Sequence, residues 1–230
     1  MSYRRLKPEL IVDTTNKLSA RISERFPGFG LSRVCLELLA VAEKAAVTSD
    51  WIGKPNLWLR AGVGFCILLI AGAGIAGVMS LRSYSGNASV YEVLQGIEAG
   101  INDLVFIGIA ILFLVTWENR IKRNRALKAL HELRSLAHII DMHQLTKDPE
   151  RVLNSGESTP SSPERKMTPF ELVRYLDYCT EMLAIISKIA AVYVQDYDDD
   201  VTLGAVNEIE NLTSGLSRKI WQKIMILEQG

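Results

Sequence analysis

The chain has 230 residues, room for one or two domains, and its 26 Lys and Arg balance its 26 Asp and Glu. That balance leaves no whole-chain basic footprint for phosphate backbones, so no nucleic-acid partner is expected. Cys35, Cys66 and Cys179 stand far apart with no shared ligand spacing, which argues against a disulfide framework or a zinc site and fits a reducing compartment.

Residues 1–53 read as a pair of helices. PELIVDTTNKLSARISERF places Ile11, Leu18 and Ile22 on one face, FPGFG breaks it, and Ser32 is placed to cap the apolar helix RVCLELLAVAEKAAV. Asp50, Gly53 and Pro55 end that helix. No short apolar core with a small-residue cleavage site precedes it, so no removable signal peptide is expected.

The run FCILLIAGAGIAGVM follows, and its Gly72, Gly74 and Gly77 fall at the G-x-G-x-x-G spacing of a dinucleotide-binding turn. Such a turn requires the third glycine to sit in a helix of ten or more residues that leads to a second parallel strand. Here SYSGN, loop chemistry, begins six positions past Gly77, and Glu92 stands at the end of no strand. Ala61 to Leu81 is instead a run of 21 uncharged positions, enough at about 1.5 Å per residue to cross a hydrocarbon core of about 30 Å. A second apolar run, Leu104 to Trp117, reaches spanning length if residues 101–103 sit among headgroups. Residues 57–117 therefore read as a transmembrane hairpin with spans over 58–81 and 101–117 and an outer loop over 82–100.

Lys44, Lys54 and Arg60 precede the first span, and Arg120, Lys122, Arg123, Arg125 and Lys128 follow the second. Between the spans Arg82 faces Glu92, Glu98 and Asp103. This asymmetry places both termini in the cytoplasm. Trp58, Arg60, Trp117, Arg120, Lys122 and Arg123 are assigned to the inner interface, Tyr84 and Tyr91 to the outer one, and Arg60 and Asp103 each snorkel to their own side. Gly72 and Ala76, like Ala73 and Gly77, stand four apart, and Gly64, Ala71, Gly74 and Val78 extend a small-residue face. Such a face lets helices approach closely in lipid, either within one chain or between copies in a homo-oligomer.

Neither Gly nor Pro occurs from Thr116 to Gln144, so the second span is expected to continue as a cytoplasmic helix over 118–145. Its Ala126, Leu130, Leu133, Ala137 and Ile140 follow the 4-3-4-3 seam of a bundle or coiled coil. The basic run RIKRNR suits anionic headgroups. His131, His138 and Asp141 on this helix are a candidate pH-sensing or metal-binding group, histidine being the side chain that titrates near neutrality. Residues i and i+7 lie about 10 Å apart along a helix, too far to share an ion without a second helix, and no metal or other cofactor is expected.

Residues 146–167, with NSGESTPSSPE, read as a polar linker. Residues 168–230 read as a helical hairpin. It starts at the capping box Thr168-Pro169-Phe170-Glu171, and Leu172, Leu176, Cys179, Leu183, Ile186 and Ala190 stripe its first helix. Ala205, Ile209, Leu212, Leu216, Ile220 and Ile224 stripe its second. Asp196, Asp198 and Asp200 imitate the first ligands of a calcium loop, but Val201 and Asn207 stand where its glycine and glutamate belong; helix capping by Asp199 or Asp200 explains the run better. With no G-x-S-x-G, no paired Cys and His and no Walker loop, no enzymatic activity is expected.

The reading is an all-α protein of the bacterial inner membrane, a two-span hairpin with a cytoplasmic helical bundle. In its order of elements, a helical N-terminal piece, two close spans and a long cytoplasmic helix, the chain resembles the two-transmembrane effectors of bacterial antiviral systems, such as SLATT-domain and retron-associated toxins. The resemblance implies a hairpin that oligomerises and permeabilises the bilayer, and a cytoplasmic region that senses, or is released by, a protein partner. A membrane-anchored scaffold and a small channel or transporter component are the alternative classes.

Overall fold

Pro8 begins the first helix because its fixed φ suits the opening turn and its missing N–H is no loss there. In the computed structural model, which describes residues 5–83, 90–149 and 167–229, this helix (α1) covers Pro8–Arg25. It is followed by α2 (Gly30–Gly53), α3 (Leu57–Ser83), α4 (Val90–Leu145), α5 (Pro169–Val192) and α6 (Asp200–Gln229). All regular structure among the described residues is helical. Tyr84, most of SYSGN and linker residues 150–166 fall outside them.

The chain divides into two compact units, Met1–Gly53 with Arg123–Gly230, here called the helical domain, and Lys54–Lys122, the apolar unit. In the helical domain α1 and α2 pack as one pair, α5 and α6 as another, and α1 and α2 both lie against α5. The α4 seam expected from the sequence, Ala126, Leu130, Leu133, Ala137 and Ile140, is buried in the same core, as are Leu18, Ile22, Leu38, Leu176, Met182, Leu183 and Ile220. Each such Leu, Ile or Met side chain contributes about 1.5–3 kcal/mol by leaving water. Phe26 closes one end of this core, its ring centroid 5.5 Å from Tyr175 and 6.2 Å from Tyr178. On α6, Ala205 and Leu212 are only half-buried, at the margin of the stripe.

The FPGFG break turns on Gly28, whose φ of 77° suits a residue without a Cβ. The chain reverses there and α2 starts at Gly30, two residues before the expected cap. Ser32 accordingly lies inside the helix and its hydroxyl donates to the Phe29 carbonyl at 2.9 Å. Thr168 does cap α5: its Oγ1 accepts from the Glu171 N–H at 3.2 Å while Glu171 Oε2 accepts from the Thr168 N–H at 2.8 Å. Asp199 caps α6, its carboxylate accepting from the Thr202 N–H at 2.9 Å and the Thr202 hydroxyl at 2.8 Å.

In the apolar unit, Arg60–Gly77 of α3 and a stretch of α4 are long and apolar enough to cross a membrane. The connection expected up to residue 100 is shorter than that, because α4 is already helical at Val90. Residues 90–100 hold Leu, Gln, Glu and Ala and no proline, so nothing interrupts the helix before the apolar run.

Candidate membrane segment and its anchoring contacts

Helices in a water-soluble core bury one stripe; among the described residues, α3 and the first part of α4 bury almost nothing. Trp58 is 90% exposed, Leu68 72%, Phe106 70% and Leu112 69%. The small-residue face is equally open. A Cβ added at Gly64, Gly72, Gly74 or Gly77 would meet no described atom within 4 Å, and Ala71 and Ala76 are exposed.

The start of α3 is tied to α4 by a clasp. Glu118 Oε1 accepts from the Asn56 N–H at 3.0 Å and from Lys122 Nζ at 2.9 Å, and Lys122 Nζ also donates to the Lys54 carbonyl at 2.8 Å. Lys122 is only 8% exposed. Its ammonium is turned inward, because a carboxylate and a carbonyl together offer it better acceptors than one water-exposed position does. Arg60, Arg120 and Trp117 are exposed, and Trp117 stacks at 5.4 Å on Phe113.

Arg123 is also occupied. Its Nε donates to Asp199 Oδ1 at 2.9 Å and its terminal nitrogen to the same oxygen at 2.5 Å. Asp199 is the residue that caps α6, and although its burial opposes ionisation, the Arg123 and Thr202 donors hold its carboxyl below the usual carboxylate range.

The histidines do not converge. His131 and His138 are exposed, and Asp141 accepts from Gln144 Nε2 at 2.6 Å. Among the described residues no three His, Cys, Asp or Glu side chains are placed to hold a metal ion. His131 lines an open cleft of about 160 Å³ between α4 and α6, with Leu127, Arg134 and Glu208 around it. His143, the third histidine, is half-buried beside Gly30. Cys35 and Cys179 are buried thiols, the first raised to about 11 and the second to about 12 by loss of solvent, which makes both poor nucleophiles at neutral pH.

No protein-family model, curated protein or solved structure matches this chain. The clasp and the Arg123 pair carry little local signal. Glu118 and Lys122 stand four apart, a spacing that marks an ion pair on any helix, but their partners at Lys54 and Asn56 lie more than 60 positions away.

Proposed function

We propose that this chain is a two-span protein of the bacterial inner membrane, with both termini in the cytoplasm, that acts as a homo-oligomerising membrane effector: its apolar helices assemble and permeabilise the bilayer under the control of the helical domain. The observation that carries this reading is the exposure of apolar side chains all along α3 and the first part of α4. A surface of that extent is an aggregation site in water, whereas hydrocarbon is its natural solvent. The asymmetry of basic residues supports the orientation. The small residues Gly64, Gly72 and Gly74, where an added Cβ would meet no described atom within 4 Å, support assembly between copies, since in lipid helices associate by packing.

Induced expression is expected to arrest growth and depolarise cells, and Gly72→Leu or Gly77→Leu is expected to relieve both while the protein still inserts. Normal growth and membrane potential at high expression would sink the effector reading and leave a membrane-anchored scaffold for a cytoplasmic protein.

A further inference from the structure

The turn between α5 and α6, residues 193–199, does more than reverse the chain. Tyr193 is buried, and successive turn hydrogen bonds run from the Val194, Gln195 and Tyr197 amides to the Ala191, Val192 and Val194 carbonyls. On one side it binds the N-terminal segment. Gln195 Oε1 accepts from the Leu6 N–H at 2.7 Å, Gln195 Nε2 donates to the Leu6 carbonyl at 3.3 Å, and Asp196 is paired with Arg5.

On the other side it meets both positions where the chain passes between the helical domain and the apolar helices. Gly53, the last residue of α2, lies so close that a Cβ added there would come to 3.0 Å from Asp196 Cβ. Arg123, the first domain residue on α4, is held by Asp199, whose side chain is only 7% exposed. The Arg125 guanidinium, 4.1 Å above the Trp51 ring, ties α2 to α4 one step further in.

We propose that this turn is a clamp on the two chain crossings, and that its release, with Asp199 leaving Arg123 and Asp196 leaving Gly53, is the step by which the helical domain acts on the apolar helices. Asp199 couples the two ends of the clamp, because one carboxylate serves both the α6 cap, through Oδ2, and Arg123, through Oδ1. Any partner that shifts the start of α6 competes directly with the hold on α4. The last clause of the proposal rests on the membrane reading above; the clamp itself does not.

The test uses the full chain in mild detergent with Cys66→Ser. The pair Gly53→Cys and Asp196→Cys is expected to form a disulfide under mild oxidation with only a small backbone shift, since Cβ separations of about 3.5–4.5 Å suit that bond. Asp199→Asn is expected to raise the rate of tryptic cleavage at Lys122 and Arg125 about tenfold, as the open population grows by the loss of one charge-assisted hydrogen bond. The oxidised cysteine pair should suppress that rise, and reductant should restore it. Arg123→Gln, which leaves the α6 cap intact, should give the same rise without loss of circular dichroism, excluding unfolding as its cause. Failure of the disulfide to form, or cleavage that ignores all three changes, overturns the clamp. Cleavage that responds in a protein that never depolarises cells keeps the clamp and rejects the effector reading.

Discussion

The Lys223 ammonium donates to the Gln144 carbonyl at 2.9 Å and to Gln144 Oε1 at 2.6 Å, with the Lys147 carbonyl at 3.2 Å as a third acceptor. Gln144 is next to the last residue of α4, so a lysine of α6 satisfies helix-end carbonyls that would otherwise lack a donor. Burial depresses the Lys223 pKa, while Asp148 and Asp141 act in the opposite direction.

Lys223→Met keeps the stem's length and apolar contacts but removes the donors. The Gln144 group, 2% exposed, then has no water to replace them. A loss of about 1–3 kcal/mol in domain stability is expected, read by denaturant unfolding in detergent; an unchanged midpoint would show that the three acceptors find other donors.

Gly30 stands where a Cβ would come to 2.5 Å from His143 Cε1. Gly30→Ala should therefore push the tip of the His143 ring aside and cost about 1 kcal/mol, the low end for overpacking, because the half-buried ring can turn away. The double variant Gly30→Ala with His143→Ala should recover part of that loss, and a thermal melt of the four proteins in the cycle measures the coupling.

His143 also sets a pH dependence. Burial, with Lys147 and Arg33 nearby, holds its pKa in the fold below the ordinary 6.5. The unfolded chain takes up the proton first as pH falls, so the stability this neutral imidazole provides is complete above pH 6.5 and is lost as pH falls through the folded pKa. Unfolding midpoints should decline as pH falls below 6.5, and His143→Gln should flatten that decline. A decline of the same slope in the variant would assign it to other groups.

The Glu118–Lys122 pair is tested by Lys122→Met. That change leaves Glu118, whose side chain is 14% exposed, with the Asn56 amide and the charge of Arg60 but without its paired ammonium. About 3 kcal/mol is expected to be lost, as for a buried pair broken from one side. Lys122→Met with Glu118→Gln should lose less, since the stranded charge is gone; unfolding in detergent compares the two.

What the sequence disclosed was local. TPFE is a capping box because both of its hydrogen bonds close within four residues, and the 126–140 seam is visible because burial repeats at the helical period. FPGFG marked the break between α1 and α2 for the same reason. Ser32 misled because an N-cap preference is a local tendency, overridden once the chain turned at Gly28 and α2 began at Gly30. Lys223 with Gln144, and Arg123 with Asp199, join residues 79 and 76 positions apart. Charge and spacing in either segment alone carry no trace of those partners.

The side-by-side run of α2 and α4 has a consequence for how this chain can vary. Going along α2, Gly30 meets His143, Lys44 meets Glu132 and Trp51 meets Arg125, so the two helices run antiparallel, and the last two rungs are spaced alike, seven residues apart on each helix. Deleting one residue between Lys44 and Trp51 would rotate the later rung by about 100° and draw it back about 1.5 Å. A compensating deletion in α4 restores the match only if it falls between Arg125 and Glu132. The lengths of these two segments are thus bound together, and an insertion or deletion in one is tolerated only with its counterpart in the other.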